Sequence, residues 1–212
     1  MGTGAESTFR IGLDDTDHPD GGCTTFDLNS LADHLASEVP SFREIERRLV
    51  RLWPYAERRT RGNAALCLMA SVSDEDEGAL YRALEEWVPK PTGKDGKSSA
   101  RPAIVVGRDA PPIGWYTEAV RSHVDLDERL RDIVSADFNI FTKSERPHGA
   151  IGASAAIAWD GGRSTWELVA WREQGALGTR RVVDEGMISS MSERYPGTFA
   201  NRDPTTGRCM IA

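Results

Sequence analysis

Three aspartates, Asp14, Asp15 and Asp17, fall within four residues of the run IGLDDTDHPDGGCTT, Ile11 to Thr25. An apolar stretch precedes them, and two glycines, a cysteine and two threonines follow. Crowded carboxylates repel one another, and isolated ones prefer water. A hard cation resolves the conflict, since Mg²⁺ takes oxygen ligands and bridges carboxylates to substrate phosphates. Asp14, Asp15 and Asp17 are therefore candidate metal ligands and catalytic acids. Gly21 and Gly22 permit close backbone approach. A helix starting near Thr24 to Phe26 aims its free N–H groups at the same spot, and such an end binds phosphate. Metal ligands beside an anion cradle make a phosphoryl-transfer arrangement, in which positioning and charge neutralisation do most of the work. Thr24 can receive a phosphoryl group or touch the metal there. The competing reading is a plain acidic turn with an N-cap, since Asp and Thr are common at both. No G-x-x-x-x-G-K-[ST] run is present, so a Walker loop is excluded.

Two further clusters carry chemistry. In RRTRGNAA, Arg58 to Ala65, Arg61 can clamp phosphate bidentately, and Asn63 can donate or accept beside it. A strand-entry turn with surface arginines explains the same residues. In PHGAIGASAAIAW, Gly149 and Gly152 let a backbone or ligand come close, or serve tight helix packing through small residues. His18 and His148 are single histidines that fit turn positions as well as catalysis.

The elements that must position these residues follow from periodicity. FRIGL reads as a strand ended by the acidic turn. Leu28, Leu31, Leu35 and Val39 recur at helical spacing until Pro40. RRLVRLW and AALCLMASV read as strands. Ser73 then precedes DEDE, an acidic first turn suited to a helix running through Leu80, Ala83, Leu84 and Trp87. KPTGKDGKSSARP is a polar loop, and AIVVG a buried strand. The order is βαββαβ, the ferredoxin-like pattern, with one sheet face expected against two helices. The second half is expected to hold a largely helical run from Pro111, a small-residue helix after His148, a strand STWELVAWR, a helix closed by Pro196 and Gly197, and a terminal strand RCMIA. The fold class is α+β: two small α/β sandwich domains, the second also of ferredoxin-like type. The boundary is placed between 109 and 110, giving domains over 8–109 and 110–212.

Composition bounds the partners. The chain has 212 residues and a formal charge of −7, so as a whole it does not attract nucleic acid. One plausible basic patch runs from Arg43 to Arg61, seven arginines against three glutamates, with a solvated charged face as the alternative. The three cysteines, Cys23, Cys67 and Cys209, form no C-x-x-C pair, which argues against a disulfide framework or a structural zinc. No apolar run approaches the roughly 20 residues of a membrane helix, and the N-terminus has no signal-peptide core. A cytoplasmic protein without membrane partners is expected.

Taken together, IGLDDTDHPDGGCTT, RRTRGNAAL, HGAIGASAAIAW, STWELVAWR and YPGTFANRD resemble the archaeal agmatidine synthase family, the isoleucine-tRNA agmatinylcytidine synthetases. The resemblance covers nearly the whole chain. It implies a kinase-like ATP-binding domain followed by a ferredoxin-like domain. It also implies an ATP-dependent ligase that phosphorylates the carbon-2 carbonyl of a tRNA wobble cytidine, after which the amine of agmatine displaces the phosphate. On that resemblance Asp14, Asp15 and Asp17 match the catalytic aspartates and bind Mg²⁺. Thr24 matches an autophosphorylated threonine. Gly22, Thr24, Thr25, Arg61, Gly62 and Asn63 are placed at ATP, and Gly149 and Gly152 at the substrate. Family members continue into an OB-fold and a zinc ribbon that hold the tRNA, whereas this sequence ends at Ala212. Where members often have R-L-N-P, it has RLWP, with Trp53. Two expectations fit: a fragment of a longer synthetase, or a short homologue aminating a small-molecule carbonyl with agmatine or a similar amine. A non-catalytic nucleotide-binding module is the third.

Overall fold

Strand β1 (Glu6–Asp14) is the middle of a five-stranded antiparallel sheet. The computed structural model describes residues 5–18, 23–57, 59, 62–93 and 99–162, with positions 164, 186, 205 and 206. The chain divides into two units, 1–162 and 163–212, and the elements below belong to the first. β1 pairs with β3 (Ala64–Ser73) on one side and β4 (Ala103–Gly107) on the other. β2 (Arg43–Arg51) flanks β3, and β5 (Asn139–Phe141) flanks β4, giving the order β2-β3-β1-β4-β5. Helix α1 (Thr24–Glu38) joins β1 to β2. A 3₁₀ turn, Asp74–Asp76, and α2 (Glu77–Trp87) join β3 to β4. This is the βαββαβ order read from the sequence. After β4 come α3 (Gly114–Ala119), α4 (Leu126–Ser135), β5 and α5 (Gly149–Ala158).

Strand alternation sends Phe9, Ile11 and Leu13 to one face, where they pack with Leu31 and Leu35 of α1 and Leu84 of α2. The opposite face is buried as well: Cys67 and Val105 pack with Trp115 of α3, Ile133 of α4 and the alanines of α5. The expectation of one covered face is thereby corrected. α5 is buried nearly all round, because GAIGASAAIA presents almost no side-chain bulk to the sheet. Contact is close enough that a Cβ added to Gly12 would lie 2.2 Å from the Ala153 carbonyl oxygen. Arg10 Nη1 donates to the Ile157 carbonyl at 2.9 Å, placing a cation at the negative end of α5. Arg129 of α4 is 1% exposed. It donates to Ser154 Oγ of α5 at 3.0 Å and pairs with Glu118 of α3 at 2.6 Å, so its charge is satisfied while it ties three helices together.

The sheet runs past the boundary expected between 109 and 110, since β5 pairs with β4 and α3, α4 and α5 cover the second face. β5 was not expected, because three residues are too few to show a period. The expected strand STWELVAWR, the helix before Pro196 and the strand RCMIA lie outside the described residues. No helix among the described residues is long and apolar enough to cross a membrane.

The expected basic patch is largely paired where it forms β2. Arg47 grips Glu44 with two 2.7 Å bonds, Arg48 grips Glu46 at 2.7 and 2.9 Å, and Arg43 pairs with Glu6. Alternating charge on an edge strand discourages pairing with other chains. Cys67 of β3 is fully buried, and that burial pushes its thiol up to about 12. Scarcely any thiolate exists at pH 8, so iodoacetamide should alkylate half-buried Cys23 well before Cys67 in the native protein. Peptide mass spectrometry checks this, and fast native labelling of Cys67 would mean that the second face is open.

Candidate active site at one end of the sheet

Strand register decides which loops meet. Leu13 lies opposite Leu66 and Ile104, Asp14 opposite Ala103, and Arg51 opposite Ala64. The end of β1, the starts of β3 and β4 and the end of β2 therefore share one end of the sheet. The first turn of α5 joins them: the Gly149 N–H donates to the Arg101 carbonyl at 3.0 Å. A Cβ on Gly149 would come within 2.5 Å of the Asp14 carbonyl oxygen.

Asp14 is the last residue of β1, on the α5 side of the sheet. A Cβ on Gly152 would sit 1.8 Å from Asp14 Oδ2, so Gly152 is the seat of this carboxyl group. Burial raises the Asp14 pKa well above the ordinary carboxylate range, and the charges of Asp15 and Asp17 add to the rise. Asp15 has φ +57°, a left-handed conformation that Asp tolerates better than most residues, and the chain turns sharply there. Its Oδ2 accepts the Arg101 backbone N–H at 3.1 Å. Asp17 Oδ1 accepts both the backbone N–H of Thr24, at 2.5 Å, and its hydroxyl, at 3.0 Å. Thr24 is the first residue of α1, so the carboxylate meets the positive end of the helix dipole. The helix-capping reading and the catalytic reading thus involve the same atoms.

Thr24 is held from a second side. Thr16 Oγ1 lies 3.1 Å from Thr24 Oγ1, and Thr16 also hydrogen-bonds Asp27. Burial raises the Asp27 pKa, the Thr16 and Cys23 hydrogen bonds pull it down, and the Asp17 charge raises it. Thr25 Oγ1 is 3.5 Å from Cys23 Sγ. Sequence reasoning missed Thr16, Asp27 and Arg101. Asp27 carried a signal, since an acid in the first turn of a helix already read as a phosphate cradle is out of place electrostatically.

The three aspartates diverge: Asp14 faces Gly152, Asp15 the Arg101 amide, and Asp17 Thr24. Among the described residues no three His, Cys, Asp or Glu side chains gather as a metal cage. The Asn63 side-chain N–H donates to the Trp53 carbonyl at 2.8 Å, and the Gly62 carbonyl accepts from Arg51 at 3.1 Å. Both belong to the β2–β3 loop at the same sheet end. Gly22 and Arg61 lie outside the described residues. His18 abuts the loop before β4, where a Cβ on Gly93 would meet its Nε2 at 2.7 Å. His148 immediately precedes α5.

A family model described as the TiaS TCKD domain matches residues 10–145, and one described as the TiaS FLD domain matches 147–212. The chain belongs to the TiaS family. It is 35% identical to the isoleucine-tRNA 2-agmatinylcytidine synthetase TiaS of Methanopyrus kandleri over 95% of its own length and 46% of that relative. To the TiaS of Cenarchaeum symbiosum it is 33% identical over 98% of its own length and again 46% of the relative. The chain spans about half the length of the curated relatives it matches. A crystal structure of TiaS in complex with isoleucine tRNA and ATP superposes with a TM-score of 0.72 at 28% identity, over 96% of this chain and 48% of that one. A complex of TiaS with isoleucine tRNA, AMPCPP and agmatine gives 0.70 at 26%, over 96% and 49%. In TiaS terms, Asp14 lies in the first matched segment, and the glycines that seat it open α5 in the second.

Proposed function

We propose that the chain performs the ATP-dependent activation of a cytidine carbonyl in an isoleucine tRNA and the attachment of agmatine to it, working in the cytoplasm. The observation that carries the reading is the Thr24 hydroxyl, held on Asp17 Oδ1 at the start of α1 beside Asp14 and Asp15. The printed descriptions of the TiaS relatives and of the complexes with ATP, AMPCPP, agmatine and isoleucine tRNA support it.

The residues divide the chemistry as follows. The carbon-2 carbonyl of cytidine is a poor electrophile until its oxygen carries a phosphoryl group, which then leaves as the amine nitrogen adds. Asp17 accepts the Thr24 hydroxyl proton, so Thr24 Oγ1 can take a phosphoryl group with that proton passing to the carboxylate. The open N–H groups of α1 orient phosphate oxygens. Gly22, Thr24, Thr25, Arg61, Gly62 and Asn63 line the nucleotide side, and Gly149 and Gly152 the substrate side. The donor set suits a hard cation, because it is oxygen-only and carries enough negative charge to raise the Asp14 pKa. Mg²⁺ commonly uses one or two carboxylates with phosphate oxygens, so divergent aspartates still fit. Asp14, Asp15 and Asp17 would hold it, and it would neutralise phosphate charge.

Transfer of labelled γ-phosphate, with Mg²⁺ present, tests the reading. The wild type should take up label, Thr24→Val should not, and Asp15→Ala should fall on the order of 10²-fold. Equal background labelling of wild type and Asp15→Ala would remove the enzymatic reading, while persistent labelling of Thr24→Val would exclude Thr24 as acceptor.

A further inference from the structure

The β2–β3 loop holds an aromatic side chain that the core does not use. Tyr55 is 75% exposed, whereas a tyrosine placed for stability buries its ring. Its ring meets Trp53 edge to face, with centroids 6.2 Å apart and planes at 71°. The loop beneath is latched. Asn63 Nδ2 holds the Trp53 carbonyl at 2.8 Å, the Leu52 N–H donates to the Asn63 carbonyl at 2.9 Å, and the Trp53 N–H donates to the Ala119 carbonyl of α3 at 2.9 Å. Arg51 Nη1 closes the base of the loop on the Gly62 carbonyl at 3.1 Å. An aromatic ring held on a fixed frame has already lost the freedom that binding would otherwise cost.

Charge and position point to the occupant. The chain carries −7, yet residues 51–63 hold four arginines against one glutamate. The arginines earlier on β2 are paired with carboxylates, so positive charge concentrates in this loop. Strand register brings the loop out at the same end of the sheet as Asp14. An open aromatic face beside arginines is how proteins receive single-stranded bases, with the ring under the base and cations along the backbone. The base of a small nucleotide is more often enclosed in a concave cleft.

We propose that Tyr55, braced by Trp53, is a stacking platform for an unpaired base of the RNA substrate, with Arg51 and Arg59 beside it. This rests on the tRNA reading above. Binding of an anticodon stem–loop RNA and, separately, of ATP to the full chain tests it, with wild type, Tyr55→Ala and Tyr55→Phe compared. Tyr55→Ala should weaken RNA binding roughly 5- to 150-fold, the effect of losing one stacked base. Tyr55→Phe should bind as wild type does, ATP affinity should not change, and thermal unfolding of the three should coincide. A Tyr55→Ala protein that binds RNA like the wild type overturns the platform and leaves the tRNA reading standing. Loss of ATP affinity in place of RNA affinity assigns the ring to adenine and also overturns it. A wild type that binds ATP but no RNA overturns both the platform and the RNA part of the proposed function.

Discussion

Gly152→Ala should lose turnover and about 1–3 kcal/mol of stability, the usual cost of forcing extra volume into a packed site. The added methyl would fall 1.8 Å from Asp14 Oδ2 and 3.2 Å from Ala65 Cβ, so the carboxyl group must leave its seat. The double variant Asp14→Ala/Gly152→Ala separates this cause from general damage. Removing the carboxyl group vacates the space the methyl needs, so the double variant should be more stable than the two single losses add up to. A coupling of about 0.5–3 kcal/mol is the range for residues in direct contact. Urea unfolding of the four proteins measures it. Strict additivity would show that Gly152 does not seat Asp14. Gly12 provides the contrast, since its clash would be with the backbone oxygen of Ala153, which no side-chain truncation relieves.

Asp14→Asn should raise stability at neutral pH while reducing phosphoryl transfer on the order of 10²-fold or more. The opposition follows from the raised pKa, caused first by burial and then by the charges of Asp15 and Asp17. In the unfolded chain the carboxyl group ionises above its ordinary value of 3.8. In the folded protein it resists ionisation. Its favourable contribution is therefore complete below that value and is lost as pH rises towards the folded pKa. Asparagine keeps the shape and carries no charge, so it removes this pH-dependent loss. With EDTA present and nucleotide absent, wild type and variant should melt together near pH 3.5 and separate as pH rises, the variant melting higher. Each kcal/mol of relief appears as about 2–4 °C in a chain of this size. A constant difference across pH would mean that the Asp14 charge is not the cause. Function here retains a charge that the fold alone would discard.

Much of the first unit could be read residue by residue. The leucines of α1, the alternation in β1 and β3 and the acidic turn before α2 are local patterns, and the βαββαβ order needed only those. Thr24 at the start of α1 was legible for the same reason, because helix starts follow from short-range chemistry. β5 escaped because it is three residues long. The basic patch was misleading because the partners of Arg43 and Arg48 depend on side-chain geometry and, for Glu6, on another strand. The role of Gly152 was half visible: small residues announced close packing, though not against which group.

The sequence by itself determined the elements, the acidic loop with its threonine, and the family, since each depends on residues close together in the chain. Tertiary structure alone decided that the second sheet face is covered, that Asp15 meets the amide of Arg101 across 86 positions, and that α5 sits on Asp14. Those contacts arise from strand register and from the closeness that glycine and alanine permit between backbones. Periodicity records which face a residue takes, and long-range packing chooses what that face meets.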